Sequence, residues 1–143
     1  MVQTEIIYPV LALVAWTFVV LLMIPYQRIK AVRIKQVKVS DFKLGESENV
    51  PDKVSIPNRN YMNLLELPVL FYFVCFALYL FSGTDQLALG LAWIYVALRV
   101  IHSLIHLTYN NVLHRLTFFA ASNLVLSVIW ILFFLVLRGA QGV

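Results

Sequence analysis

Four long apolar runs, separated by three polar interruptions, set the rhythm of this chain. The first, residues 6–26, contains no charged side chain and matches the roughly 20 residues needed to cross a hydrocarbon core of about 30 Å. The others span about residues 59–81, 86–107 and 112–137. Ser82-Gly83-Thr84-Asp85 and Thr108-Tyr109-Asn110-Asn111 are short enough to join antiparallel neighbours. The first interruption, residues 27–58, is long and basic, broken by Gly45, Pro51 and Pro57, and is expected to hold a local fold of its own. The pattern predicts an all-α membrane protein, a single domain over residues 1–143 built as a bundle of four transmembrane helices.

Composition strengthens this reading. The chain is 62% apolar and 13% charged, against about 45–50% and about 25% in soluble domains, so the bilayer is its solvent. Soluble nucleotide-binding folds are excluded, as is a disulfide framework, since Cys75 is the sole cysteine. Glu5 precedes a long apolar run with no small-residue cleavage site after it, so the first helix is expected to be retained. The net charge is +4, but seven of the eleven Lys and Arg fall in residues 27–58, where they set orientation. No nucleic-acid partner is expected. An integral, multi-pass protein follows, with both termini away from the cytoplasm; in a bacterium that membrane is the inner one.

The few charges left within the helices carry the chemistry, because each costs roughly 2.5–3.5 kcal/mol or more at membrane depth. Arg59, Asn63 and Glu66 share one face of the second helix, and Arg99, His102 and His106 one face of the third. His114 and Arg115 open the fourth, with Ser122 and Asn123 further along. In an antiparallel bundle all three groups fall at the level of the basic loop, which predicts one pocket.

Plainer roles compete for each residue. Arg59 and Arg115 are placed to snorkel to headgroups, Glu66 and Arg99 to form a structural ion pair, and the histidines to bond between helices. His102 and His106 also have the i, i+4 spacing of metal ligands, but Arg99 one turn away would oppose a dication, and no metal is expected. Cys75 reads as a packing residue, and Trp93, Tyr95 and Trp130 as packing or interface aromatics. The ionic groups favour an anion: three Arg less one Glu leave +2, and Arg suits bidentate carboxylate binding. Glutathione as its thiolate, with two carboxylates and one ammonium, complements that charge. Phosphate headgroups suit a basic pocket too.

These residues resemble the MAPEG family, membrane-associated proteins in eicosanoid and glutathione metabolism, in a form like its bacterial members. The resemblance rests on four spans, the long basic first loop, Arg59-x-x-x-Asn63-x-x-Glu66-x-Pro68, and Arg99-x-x-His102. It implies a homotrimer with glutathione as co-substrate in a cytoplasm-facing pocket between subunits, and a lipophilic small molecule as second substrate. Asn63 and Glu66 then match the glutathione-contacting pair, with Arg99 as the partner of Glu66. His102 matches a pocket histidine, and Arg115 the arginine that polarises the thiol, making it the catalytic candidate. Arg59 and His106 join the binding set, and Arg33 or Arg28 matches an arginine reaching across the subunit boundary. Trp16, Phe18 and Phe119 are expected to line a lipophilic groove between the first and fourth helices. Phe119, His106 and Met62 depart from the family pattern, Phe119 and Met62 each replacing a polar group. The activity implied is that of a glutathione-dependent transferase or peroxidase acting on lipophilic electrophiles. A non-catalytic lipid- or glutathione-binding protein of the same fold is the alternative, and a transporter or proton relay would require polar residues through both halves of the helices.

Overall fold

A computed structural model describes residues 2–43 and 45–140. The described chain is helical, with no strand: α1 Val2–Glu5, α2 Ile7–Arg33, a 3-10 turn Val39–Phe42, α3 Asp52–Leu65, α4 Pro68–Leu80, α5 Gln86–Leu107 and α6 Val112–Ala140. Four segments are long and apolar enough to cross a membrane: Gln3–Arg33, Asp52–Leu80, Gln86–Leu107 and Val112–Gly139. The protein is an integral membrane bundle. Its most extensive packing joins α5 to α6 and α2 to α3.

The first span outruns its apolar segment. Residues 27–33 carry Gln, Arg, Lys and Ala, all good helix formers, and Ala31 is buried against Val37, Val50 and Val54. Lys35 then enters the left-handed region (φ 58°), and the Gln36 N–H donates to the Ala31 carbonyl at 3.0 Å. This closes the helix in the manner of a Schellman cap. The polar interruption therefore shrinks to residues 34–51. There Arg28 pairs with Glu46 at 3.1 Å and lies 4.9 Å from the Phe42 ring centre, tying the segment to the helix end.

The second span differs more from expectation. It starts at Asp52, seven residues before the predicted boundary, because Pro57 costs the early helix only one hydrogen bond and does not end it. It then breaks at Glu66–Leu67. Pro68 lacks an N–H and occupies the first position of α4, a place that proline suits. The ladder resumes as tight turns, Val69 to Glu66 and Leu70 to Leu67. The last carbonyls of α3 are thus released for other donors.

The remaining connections are held by short-range chemistry. Ser82 takes φ 54°, and a Cβ on Gly83 would meet Val136 Cγ1 at 2.8 Å, so the close approach of α6 requires glycine there. Gln3 donates to the Leu78 and Tyr79 carbonyls and accepts from the Thr84 N–H at 3.3 Å, which ties the start of the chain to this turn. Asp85 caps α5 by accepting from Ala88 at 2.7 Å. Asn110 takes φ 50°, a conformation asparagine tolerates, and Asn111 caps α6 by accepting from the His114 N–H at 3.1 Å.

Candidate functional site

The end of the bundle next to the 34–51 segment holds nearly every buried polar side chain. Ser55, Asn60, Arg99, His102, Ser103 and His106 are buried there, on the first turns of α3 and the last turns of α5. The break in the second span explains how Arg99 is held. Asn63 lies in the last turn of α3, and its carbonyl accepts from Arg99 Nη2 at 2.7 Å. Arg99 is 1% exposed, and its guanidinium sits 5.6 Å from the Phe119 ring centre. Its Nε and Nη1 have no hydrogen-bond partner among the described residues.

Two adjoining hollows open in front of this layer, and both are lined by Asn63 and Arg115. One, of about 260 Å³, is bounded by Asp52, Ile56, Arg59, His106 and Asn110 as well. The other, of about 240 Å³, is bounded by His102, Val112, Leu116 and Phe119. The first is polar and the second mainly apolar. Arg115 stands where they meet, and it is fixed from two sides. Its Nη1 donates to Asn110 Oδ1 at 2.7 Å, and its carbonyl accepts from His102 Nδ1 at 2.9 Å. Since a carbonyl only accepts, His102 carries its proton on Nδ1 and presents Nε2 as a lone-pair acceptor when neutral.

Unpartnered buried atoms concentrate here: Arg99 Nε and Nη1, His102 Nε2, His106 Nδ1 and Arg115 Nε. Buried polar atoms are normally bonded, so this layer is chemically suited to an anionic, hydrogen-bonding guest. Two guanidinium groups at the cleft supply fork-shaped donors for carboxylates. Among the described residues, no group of three or more His, Cys, Asp or Glu converges as metal ligands would.

The structure brings together Arg59, Asn63, His102, His106 and Arg115 at the cleft, with Arg99 directly behind it. It leaves out Glu66, which is exposed at the break and lines neither hollow. The expected Glu66–Arg99 pair does not form within the chain; Arg28–Glu46 is the one ion pair among the described residues. The unwound turn explains this, because it offers Arg99 a main-chain carbonyl in place of the carboxylate. Arg33 lies on a separate surface with Tyr26, Ile29, Lys30 and Ile34. His114 faces outwards, with its Nδ1 2.9 Å from the Tyr109 hydroxyl.

The groove expected between the first and fourth helices also divides. Trp16 turns inwards and donates to Ser103 Oγ at 2.9 Å, while Phe119 belongs to the cleft. Phe18 instead lines an apolar hollow of about 210 Å³ between the first and second spans, with Val14, Leu65 and Tyr72.

Three features were missed in the sequence. Asp52 and Asn110 line the polar hollow. Asn60 donates to Ser103 Oγ at 2.6 Å, completing with Trp16 a link among three spans. The spacing of Asp52, Ile56, Arg59 and Asn63, in steps of four, three and four, is one helical face, and it would have revealed Asp52 had Pro57 not been read as a break.

A family model described as the MAPEG family matches residues 6–135. No curated protein and no solved structure matches the chain.

Proposed function

Because the chain belongs to the MAPEG family, a membrane family of glutathione and eicosanoid metabolism, we propose that it is a glutathione-dependent transferase or peroxidase acting on lipophilic electrophiles. The observation that carries this reading is the pair of joined hollows with Arg115 at their junction. The polar hollow suits a small peptide with two carboxylates, which Arg59, Arg115 and Asn63 would bind. The apolar hollow suits the second substrate, which enters from lipid past the exposed Val112 and Leu116.

Chemistry follows from that division. A guanidinium within a few Å favours the thiolate over the thiol, so Arg115 supplies the nucleophile at neutral pH. Thiolate sulfur then attacks the electrophilic carbon, and the carbon–sulfur bond forms as the leaving group departs or the electron pair moves onto the acceptor. With a peroxide, sulfur instead attacks the terminal oxygen, the O–O bond breaks and the alkoxide leaves to be protonated to the alcohol; the resulting sulfenic acid reacts with a second glutathione to give the disulfide and water. Asn63, His106 and Arg59 contribute proximity by holding the peptide, and Arg99 fixes the Asn63 backbone.

Glu66 and Arg33 join this site only from a neighbouring copy, as a homotrimer with pockets between subunits would allow. The basic end faces the cytoplasm in this reading, in keeping with the seven bases of residues 27–58. One observation favours the rival role of a binding protein without turnover: Phe119 fills the wall of the apolar hollow and offers no hydroxyl to the sulfur.

Calorimetric binding of glutathione to the wild type, Arg115→Ala and Glu66→Ala, paired with rapid-mixing absorbance of the thiolate, tests the proposal. Binding accompanied by thiolate formation and conjugation of a generic electrophile supports the enzyme. Binding without either supports the rival role, and equal binding by all three proteins removes the site assignment.

A further inference from the structure

We infer that Asp52 is an ammonium-binding group, which makes the cleft selective for a zwitterionic ligand over a purely anionic one. This inference rests on the glutathione reading above and specifies how the peptide is oriented within the site.

The polar hollow is lined by two guanidinium groups, one imidazole, two amides and a single carboxylate, that of Asp52. Arg28–Glu46 is the one ion pair among the described residues, so Asp52, an exposed side chain at the start of α3, makes no direct ion pair with Arg59 or Arg115 although it shares their hollow. His106 lines the same wall, is 2% exposed and has no partner at Nδ1. The hollow is therefore built to receive a guest, and Asp52 is the part of it that a ligand bearing only carboxylates would be repelled by.

The local helix geometry gives the guest a direction. Asp52 and Arg59 lie two turns apart on one face of α3, and helical side chains lean towards the N-terminus. Arg59 thus leans towards Asp52. An amino-acid end, with its ammonium and carboxylate on one carbon, offers each of them the opposite charge. The γ-glutamyl end of glutathione has this chemistry, which leaves the cysteine free to reach Arg115 at the mouth of the apolar hollow. Glu66, the other acid of this span, lines neither hollow.

The test measures binding of two ligands to the full-length protein in lipid nanodiscs. One is glutathione, and the other is the same peptide with hydrogen in place of the glutamyl α-amino group. Wild type is expected to prefer glutathione by about tenfold, the scale of one charge-assisted hydrogen bond. Asp52→Asn should weaken glutathione by about tenfold and leave the analogue within about twofold, which erases the preference. Asp52→Glu should retain part of it, and it guards against a folding defect in the amide variant. Equal weakening of both ligands by Asp52→Asn overturns the inference, as does a preference that survives this variant or disappears in Glu66→Gln instead. Equal affinity of the wild type for both ligands also overturns it, while leaving the glutathione reading standing. If neither ligand binds, both readings fall.

Discussion

The two ends of the bundle are made from the same four spans but solve different problems. At the end away from the basic segment, Phe71 stacks on Tyr95 at 4.4 Å between ring centres, and Phe73, Trp130, Phe133 and Phe81 form a chain of ring contacts. Ala88 and Ala92 are buried and small, which lets neighbouring helices approach closely. At the other end, Arg99, His102 and His106 are about as deeply buried as Phe71 and Tyr95 but leave nitrogens unpartnered. One end is held mainly by ring and aliphatic contacts, with only the isolated Tyr95 and Thr84 hydroxyls unpartnered among its described residues. The other keeps hydrogen-bonding capacity that packing alone does not use, and that difference separates what holds the protein together from what it does.

Four substitutions would break or sharpen this contrast. The largest effect is expected from Arg115→Ala, with a loss on the order of 100-fold in the rate of conjugation, the scale seen when a charge-stabilising donor is removed. Unfolding in mixed micelles should barely change. Phe71→Ala should do the reverse, costing about 1–3 kcal/mol of stability with unchanged glutathione affinity; lipid in place of water weakens the transfer part of the usual core penalty. Arg99→Met addresses the border between the two ends. Arg99 is buried without an ion-pair partner among the described residues, so its removal relieves a desolvation cost and strands no opposite charge; stability should hold or rise, while glutathione affinity falls by about tenfold as Asn63 loses its anchor. The smallest effect is expected for Ser103→Ala, about 0.6–1 kcal/mol on unfolding, typical of hydrogen bonds between membrane helices. If Arg99→Met destabilises as strongly as Phe71→Ala, the two ends are not functionally distinct.

Much of this arrangement was legible from residue order alone. The third span, residues 86–107, lies where the apolar run placed it, because Asp85 caps its start and no proline interrupts it. The convergence of the Arg59, Arg99 and Arg115 groups at one level followed from antiparallel helices. The helix ends near prolines were less legible. Pro25 and Pro57 sit within helices, whereas Pro68 accompanies a break, and the difference lies in tertiary context that no single proline reveals. The same break hid the true partner of Arg99, since residue types advertise a carboxylate partner but not a released carbonyl. Trp16 was expected to line a lipophilic groove with Phe18 and Phe119, while its inward hydrogen bond to Ser103 depends on a helix 87 residues away.

The double restraint on Arg115 has a thermodynamic consequence. A free arginine side chain surrenders about 2 kcal/mol of rotamer entropy when it is immobilised. Here the turn residue Asn110 already holds the guanidinium, and His102 holds the carbonyl of the same residue. Much of that ordering is complete before any ligand arrives, so association should lose less entropy than it would at a mobile arginine. Asn110→Ala would expose this as a more unfavourable binding entropy in calorimetry, with the charge of the site unchanged. A connecting turn between two membrane helices would then set the temperature dependence of affinity at a site it borders.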